Sequence, residues 1–352
     1  GSGEAPMPFL SRFSSWFARL AFGALALFAA VPAYAEDRSW MSDAALLAAA
    51  RAEGTVTLYS VTNEEEALPE VNRFEQATGI KTHYIRGGGA DLMSRIMIET
   101  RAGKPQWDVL ASSGLELMPT ELLMAYRPPE ADHLNPGAMD LEKRWFGLYT
   151  IHYVPAYNTD KIKPADLPKT YDDFSRHPEW NGHVVIDSTD RVWLAGFVSH
   201  FGPERGKKLI QDIVATVHPI LQKGKLGTVR SLGAGEYWIT LNNWASLTTG
   251  VKMAGNPVDF WALDPVVVAY GEVGANTSAP HPHAAKLLLN YMLSAEAQTL
   301  RTTWGRIPTR ADVATNPPGI LDRFKGKTLV RPALTAEEED RWQKTFSEWF
   351  GR

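Results

Sequence analysis

Strand-like and helix-like segments alternate in the first third of the chain, and this alternation constrains the fold more than any other feature. The run Thr55–Ser60 is β-branched and aromatic and predicts a buried strand, and apolar residues at helical spacing follow over residues 65–78. The same criteria predict a strand at residues 81–85, a helix at residues 91–101 and a strand at residues 107–111. This order is typical of a doubly wound α/β fold, in which ligands bind at the carboxyl ends of the strands.

The middle of the chain predicts a crossing to a second α/β unit. Residues 149–157 are strand-like, the second unit begins with a strand at residues 183–187, and residues 266–270 predict a strand that crosses back. A chain of this length exceeds the size at which a single hydrophobic core stops growing. We therefore expect two doubly wound α/β lobes joined by a hinge, with a ligand cleft between them. The expected lobes are residues 36–148 plus about 268–310, and residues 149–267 plus about 311–352.

Residues 11–35 have the pattern of an export signal. Arg12 and Arg19 precede an apolar run, and Ala-Tyr-Ala at residues 33–35 has the small residues of a signal peptidase site. The apolar run is shorter than the ~20 residues needed to cross a bilayer. We expect residues 1–35, which begin with an expression-tag remnant, to be removed by cleavage after Ala35, so that the mature protein is periplasmic.

The composition excludes several classes of function. The 352 residues contain no cysteine, which excludes disulfides, thiolate metal sites and cysteine nucleophiles. The net charge is −4, which makes nucleic acids and anionic membranes poor partners. No HExxH, GxSxG or P-loop pattern occurs in the sequence. We expect no catalysis, no cofactor and no resident metal ion.

Five passages of the chain carry a family likeness. Residues 87–109 contain Gly87-Gly88-Gly89 and a following helix and strand, and Tyr157-Asn158-Thr159 follows the crossing. Residues 279–286, 293–298 and 305–310 form late helices and a closing turn. Together they resemble the type 2 periplasmic solute-binding proteins of ABC importers, in particular the ferric-ion binding branch of extracellular solute-binding protein family 1. The resemblance covers residues 54–315. It implies a monomeric receptor that closes on a small solute and delivers it to an ABC permease.

One segment departs from the ferric-ion binding branch. Members of that branch carry two neighbouring tyrosines, and the residues in that neighbourhood here are Asn242, Asn243 and Trp244. An indole offers no oxygen ligand, and neutral amides are weak substitutes for phenolates. A small organic anion, such as a carboxylate or a phosphate ester, is therefore the favoured ligand, and nearby tryptophans suit an aromatic one. Ferric ion is the alternative, and a ligand-sensing receptor or an enzyme on the same scaffold are alternatives of other classes.

Neutral donors follow three predicted strands of the first unit. A glycine run at a helix start offers backbone N–H groups and the positive end of the helix dipole, and hydroxyls donate to an anion without adding charge. The alternative roles are tight turns and helix caps. The candidate ligand residues of this unit are Ser60, Thr62, Asn63, Gly88, Gly89, Ser112 and Ser113.

The second unit offers candidates on the opposite side of the cleft. Arg191 can bind a carboxylate or phosphate with two parallel hydrogen bonds, and Trp193 and Trp244 can stack on a planar ligand. The alternatives are a surface ion pair for Arg191 and core packing for the tryptophans. The candidates of this side are Asp187, Ser188, Thr189, Arg191, Trp193, Asn242, Asn243 and Trp244, with His152 at the crossing.

Overall fold

The structure, a computed structural model, describes residues 38–351. The predicted export signal lies outside the described residues. The described part confirms the mixed α/β class and the order of elements predicted for the first unit. Its helices are α1 Ala44–Glu53, α2 Glu64–Thr78, α3 Gly89–Arg101, α4 Arg191–Phe201, α5 Pro203–Val217, α6 Lys225–Gly233, α7 Ala245–Met253, α8 Pro282–Met292, α9 Ala295–Thr302 and α10 Ala336–Phe350. Its strands are β1 Thr55–Ser60, β2 Lys81–Arg86, β3 Val109–Ser112, β4 Met139–Asp140, β5 Trp145–Asn158, β6 Val184–Asp187, β7 Ile220–Gln222, β8 Ile239–Trp244, β9 Val258–Phe260, β10 Val266–Ala275, β11 Ile307–Pro308 and β12 Leu329–Val330.

One continuous sheet runs through both halves of the molecule in the order β2-β1-β3-β10-β5-β8-β6-β7. β1 is parallel to β2 and β3, whereas β10 is antiparallel to both β3 and β5, and β8 is antiparallel to β5. β6 is parallel to β8. β1 and β3 therefore point along β5, and β6 and β8 point against it. The carboxyl ends of the two sets face each other across the hinge strands.

Each half has its own hydrophobic cores on the two faces of its strands. In the first lobe, α1, α2 and α8 cover one face with residues such as Phe74 and Leu287, and α3 covers the other with Leu92 and Ile96. In the second lobe, one core packs α4, α5 and α10, and the other packs α6 and α7. Helices on both faces explain why the central strands are almost wholly apolar. The lobe boundaries near residues 148, 267 and 310 stay predictions.

β5 and β10 are the long strands that cross between the lobes. The first residues of β5 pack in the first-lobe cores, and its later residues pack in the second-lobe cores. At the crossing a Cβ on Gly271 would lie 2.3 Å from the ring of Tyr149, so only glycine lets this ring lie across β10. The pairing of β10 with β5 shifts register directly after Gly271. The hinge is therefore marked by an irregular pair of strands.

Side-chain caps explain where several helices begin. Asn63, Asp190, Ser294 and Thr335 each accept a hydrogen bond from the N–H of the third helical residue of α2, α4, α9 and α10. Gly79 ends α2 with a φ of 75°, a conformation that glycine adopts without strain.

Candidate functional site

The carboxyl ends of β1, β2 and β3 bring the first group of predicted ligand residues together. The N–H of Val61, in the loop that follows Ser60, donates to the β3 backbone at 3.1 Å. A Cβ placed on Gly89 would lie 3.4 Å from the Oγ of Ser112 and 4.0 Å from Val61. The loops after all three strands are therefore neighbours at one edge of the first lobe.

Ser112 carries a hydroxyl without a partner in this group. The residue is 7 % exposed, and its side chain makes no hydrogen bond with the described part of the chain. It lies on the same strand face as Leu110, which packs in the core beside α3. Its neighbour Ser113 is exposed to solvent. Ser112 thus holds a free donor close to the start of α3.

α3 begins without a side-chain cap. Its N-cap is Gly88, so the N–H groups of the first turn have neither helical nor side-chain partners. Asp91 is an exposed acid in this turn, and its Oδ2 lies 3.4 Å from where a Cβ on Gly88 would stand. The free N–H groups and the helix dipole favour a negative group at this position.

The loop after β1 is held by its own hydrogen bonds. The Oγ of Ser60 accepts the N–H of Thr62 at 3.1 Å, and the hydroxyl of Tyr84 donates to the carbonyl of Thr62. Asn63 caps α2 by accepting the N–H of Glu66 at 3.1 Å. Asn63 therefore has a structural role, and the hydroxyl of Ser60 also has a side-chain partner, Tyr84.

The carboxyl ends of β6 and β8 hold a charged network instead. The Nζ of Lys225, at the start of α6, lies 2.8 Å from Asp187 and 2.7 Å from Asp190, and all three residues are at least nine-tenths buried. Asp187 also accepts the N–H and hydroxyl of Thr189 at 3.0 and 2.8 Å. Thr189 is thus turned toward Asp187 and stiffens the loop after β6.

The pKa values of the two carboxyls of this network are shifted in opposite directions. Burial alone would raise the pKa of Asp187, but the charge and hydrogen bond of Lys225 and the N–H of Thr189 bring that pKa below its ordinary value. Burial raises the pKa of Asp190 above its ordinary value in spite of Lys225. Asp187 is therefore the stronger acid of the two.

Two aromatic rings complete the surroundings of Lys225. Its Nζ lies 5.4 Å from the ring centre of Tyr153 and 5.7 Å from that of Trp244, within the range of cation–π attraction. The two rings meet edge to face at 6.2 Å. Trp244 is partly exposed, and its indole N–H is buried without a partner in the described residues. Trp244 is the aromatic side chain that this end of the second lobe can offer to a ligand.

Asn242 and Asn243 are fully buried and serve the second-lobe scaffold. The side chain of Asn242 accepts the N–H of Asp187 at 3.0 Å and donates to its carbonyl at 3.3 Å. Asn243 donates to the carbonyl of Lys225 at 3.0 Å. Their amides therefore tie β8 to β6 and α6, and neither is directed to a solute.

Arg191 and Ser188 are held by the C-terminal helix. Two nitrogens of the Arg191 guanidinium donate to Glu339 of α10 at 3.0 and 2.8 Å. Gln343 of the same helix donates to the carbonyl of Ser188 at 3.0 Å. The guanidinium expected to bind an anion thus has a carboxylate partner already, and α10 braces the loop after β6.

Trp193 and His152 lie inside the protein. Trp193 is fully buried and packs against Tyr171 and Phe197 in the second-lobe core. His152 stacks on Phe324 with ring centres 4.2 Å apart, and burial lowers the pKa of its imidazole to about 4. The position of Trp193 matches the core-packing alternative given for it.

Arg331 reaches from the second lobe to the first. It follows β12, which pairs with the second-lobe end of β10, and its guanidinium lies 2.5 Å from Glu116 and 3.4 Å from Glu272. It also stacks on Trp145 at 4.9 Å. Glu272 is the cross-strand partner of Ser112, and burial together with the charge of Glu116 raises its pKa to about 8. A lobe–lobe contact therefore borders the first-lobe loops.

Lys225, Glu272 and Arg331 were not among the residues expected at the cleft. Lys225 follows Gly224, the N-cap of α6, which has a φ of 95°. The sequence signal for Lys225 was its position at a helix start directly after a short strand. Glu272 and Arg331 lie in segments whose pairing with β3 and β10 is not local in the sequence.

A cavity of about 20 Å³ lies beneath the β1–α2 loop. Its lining is largely apolar and includes Leu58, Val71 and Met292. This volume accommodates a water molecule and not an organic solute. This cavity therefore does not serve as the binding site of an organic solute.

The part of the chain that the structure describes also contains no group of three or more His, Cys, Asp or Glu side chains placed to hold a metal ion. Within residues 38–351, no helix has the length and apolar character required to cross a membrane.

Comparisons with known proteins all point to bacterial binding proteins. Residues 71–322 match the family model described as bacterial extracellular solute-binding protein. A Salmonella paratyphi A periplasmic protein, whose name assigns it tentative binding of 2-aminoethylphosphonate, is 25% identical over 74% of this chain and 81% of its own length. The Fe(3+)-binding periplasmic protein of Serratia marcescens is 28% identical over 72% and 78%.

Solved structures show the same fold. Iron-bound HitA from Pseudomonas aeruginosa superposes with a TM-score of 0.68 at 22% identity, covering 85% of this chain and 99% of that one. The substrate-binding protein of an ABC transporter from Agrobacterium tumefaciens superposes with a TM-score of 0.69 at 17% identity, covering 84% and 94%. These structures confirm the predicted two-lobed periplasmic binding protein fold.

Proposed function

Because this chain belongs to the family of bacterial extracellular solute-binding proteins, we propose that it is the periplasmic receptor of an ABC importer and captures a small organic anion by closing its lobes. The observation that carries this proposal is the set of neutral donors at the first-lobe strand ends. They include the N–H groups at the start of α3 and the free hydroxyl of Ser112. Contacts from both lobes in the closed form stabilise it relative to the open form.

Carboxylates and phosphate or phosphonate esters are the ligand classes that suit these donors. Their oxygens accept several hydrogen bonds at once, and backbone N–H groups at a helix start recognise them without a cation. Trp244, partly exposed at the end of β8, favours a ligand with an apolar or planar part. The relative named for 2-aminoethylphosphonate supports an organophosphonate as one member of this class.

Ferric ion is the second candidate, because the HitA structure is iron-bound and a Serratia marcescens relative is named for Fe(3+). Hard ferric ion prefers anionic oxygen ligands. At the end of β8 the side chains are the structural amides Asn242 and Asn243 and the indole of Trp244, which supply none. The proposal therefore places an organic anion ahead of iron.

A transport role without catalysis is the function proposed for the whole chain, with the ABC permease as the partner that receives the closed form. A sensory receptor would present the same closed form to a signalling protein. A pull-down with the closed, ligand-bound protein separates the two, since the transport role requires capture of a permease.

Native mass spectrometry of gently purified mature protein tests the proposal. We expect a fraction of the protein to carry a small organic anion that is lost on unfolding. Addition of ferric ion should leave the visible absorbance unchanged, whereas a coloured complex would favour the iron alternative.

A further inference from the structure

Several of the described helices begin directly after a strand, and α3 and α4 differ in whether an acidic side chain occupies the N-terminus. α4 in the second lobe begins at Asp190, whose carboxyl accepts the N–H of Trp193 at 3.2 Å and contacts Lys225 at 2.7 Å. Asp187 adds a second carboxyl beside it. The place where a ligand anion would meet the α4 dipole is therefore filled by the protein's own acids.

α3 in the first lobe has the opposite arrangement. Its N-cap is Gly88, which has no side chain, so the N–H groups of Gly89 and Ala90 have no partner. The second and independent observation is Ser112, a residue 93 % buried whose unpartnered Oγ lies 3.4 Å from the Cβ position of Gly89. The Oγ itself keeps access to solvent, so a ligand can reach this unpartnered donor.

Resting on the proposed function, we propose that the oxyanion group of the ligand binds in the first lobe at the start of α3. The N–H groups of Gly89 and Ala90 and the hydroxyl of Ser112 donate to it, and α4 does not bind it. The group is a carboxylate or a phosphonate, whose oxygens accept all three hydrogen bonds. The second lobe then closes over the rest of the ligand with Trp244.

The charged groups around this position are compatible with an anion at neutral pH. Glu116 is neutralised by Arg331 at 2.5 Å. Glu272, the cross-strand partner of Ser112, is protonated at pH 7 because burial raises its pKa to about 8. Asp91 is exposed in the first turn of α3 and competes with a ligand anion for the same N–H groups. Its removal should therefore strengthen binding.

The test is isothermal titration calorimetry with acetate, benzoate, methylphosphonate, 2-aminoethylphosphonate and a neutral sugar as probes. Ser112→Ala removes the proposed donor, and Ser188→Ala is the matched change at a strand end of the second lobe. Because Ser112→Ala loses a hydrogen bond to a charged group, it should weaken anion binding about 10-fold or more. Ser188→Ala should weaken anion binding by less than about 3-fold. Asp91→Asn should strengthen binding by about 2-fold to 5-fold. Circular dichroism melting shows that each variant is folded.

The outcomes separate this inference from the function on which it rests. If Ser188→Ala loses affinity and Ser112→Ala keeps it, the anion binds in the second lobe and the inference is overturned while the receptor role stands. If both variants bind the anion like the parent protein, the inference is overturned in the same way. If no anion binds but a neutral solute does, the anion subsite and the ligand class both fall and solute capture survives.

Discussion

The strand-end loops of the two lobes occupy equivalent places in the fold but differ in whether their polar groups have partners within the protein. In the second lobe, Lys225 forms ion pairs with Asp187 and Asp190, and Asn242 and Asn243 fasten the backbone around them. In the first lobe, the start of α3 and the hydroxyl of Ser112 are left without protein partners.

The difference shows where stability and binding are separated in this protein. Removing one member of a buried ion network strongly destabilises the folded protein, so the second-lobe loops serve to stabilise the fold. Unpaired neutral donors cost less and can be satisfied by a ligand, so the first-lobe loops are available for recognition. Substitutions in these strand-end loops should therefore affect stability in the second lobe and affinity in the first.

The largest expected effect comes from Lys225→Met. This change keeps the buried aliphatic length but leaves Asp187 and Asp190 without a cation, and it should lower the free energy of unfolding by about 3–5 kcal/mol. Urea denaturation measures the loss. The control is Lys252→Met, which removes an exposed ion pair to Asp259 and should cost less than about 1 kcal/mol. Equal losses in the two variants would show that the network is not a stabilising unit.

The second-largest expected effect is a change in the pH dependence of stability in Glu272→Gln. The pKa of Glu272 is raised from 4.5 to about 8, so its stabilising contribution is full below pH 4.5 and is lost as the pH rises through 8. The parent protein should lose about 2–4 kcal/mol from this group between pH 5 and 9, and the variant should not. Denaturation series at both pH values measure this. Parallel pH profiles for the two proteins would contradict the assignment of a raised pKa.

Gln343→Ala tests whether α10 braces the second-lobe loop. Loss of the hydrogen bond to the carbonyl of Ser188 should cost about 1 kcal/mol and weaken ligand binding only a few-fold, since the loop contacts the ligand after closure. Lys344→Ala, an exposed change on the same helix, is the control. Denaturation and calorimetry together measure both effects. A large loss of affinity with unchanged stability would move the anion site toward the second lobe.

The smallest expected effect belongs to the contact between the lobes. Arg331→Gln removes the pairing with Glu116 and should raise the radius of gyration of the ligand-free protein slightly in small-angle X-ray scattering, with a stability change below about 1 kcal/mol. Arg323→Gln is the matched control, because Arg323 also pairs with an acid, Asp259, and stacks on a ring, Phe260, but within one lobe. The same change in both variants would show that Arg331 does not hold the lobes together.

Local patterns predicted much of the fold. The strand and helix segments from β1 to β3 follow directly from apolar periodicity. The pairing of β12 with β10 and the packing of α10 on the second lobe depend on contacts far apart in the sequence, so no local pattern indicated them.

The candidate site could be predicted only in part for the same reason. Gly88, Gly89 and Ser112 follow strands that are close in sequence, and the fold places Gly89 beside Ser112. Arg191 is paired with Glu339, which is 148 residues away, and Trp193 is buried by distant aromatic partners. Which polar side chains stay free depends on these long-range partners, and sequence spacing does not report them.

A thermal-unfolding screen of the mature protein tests the central claim most directly. The panel contains carboxylates, phosphonates, phosphate esters, neutral sugars, amines and ferric ion. The account predicts that one class of organic anion raises the unfolding midpoint by about 5 °C or more at roughly 100 times its Kd. Stabilisation by ferric ion, a sugar or an amine, with no response to any organic anion, would contradict it.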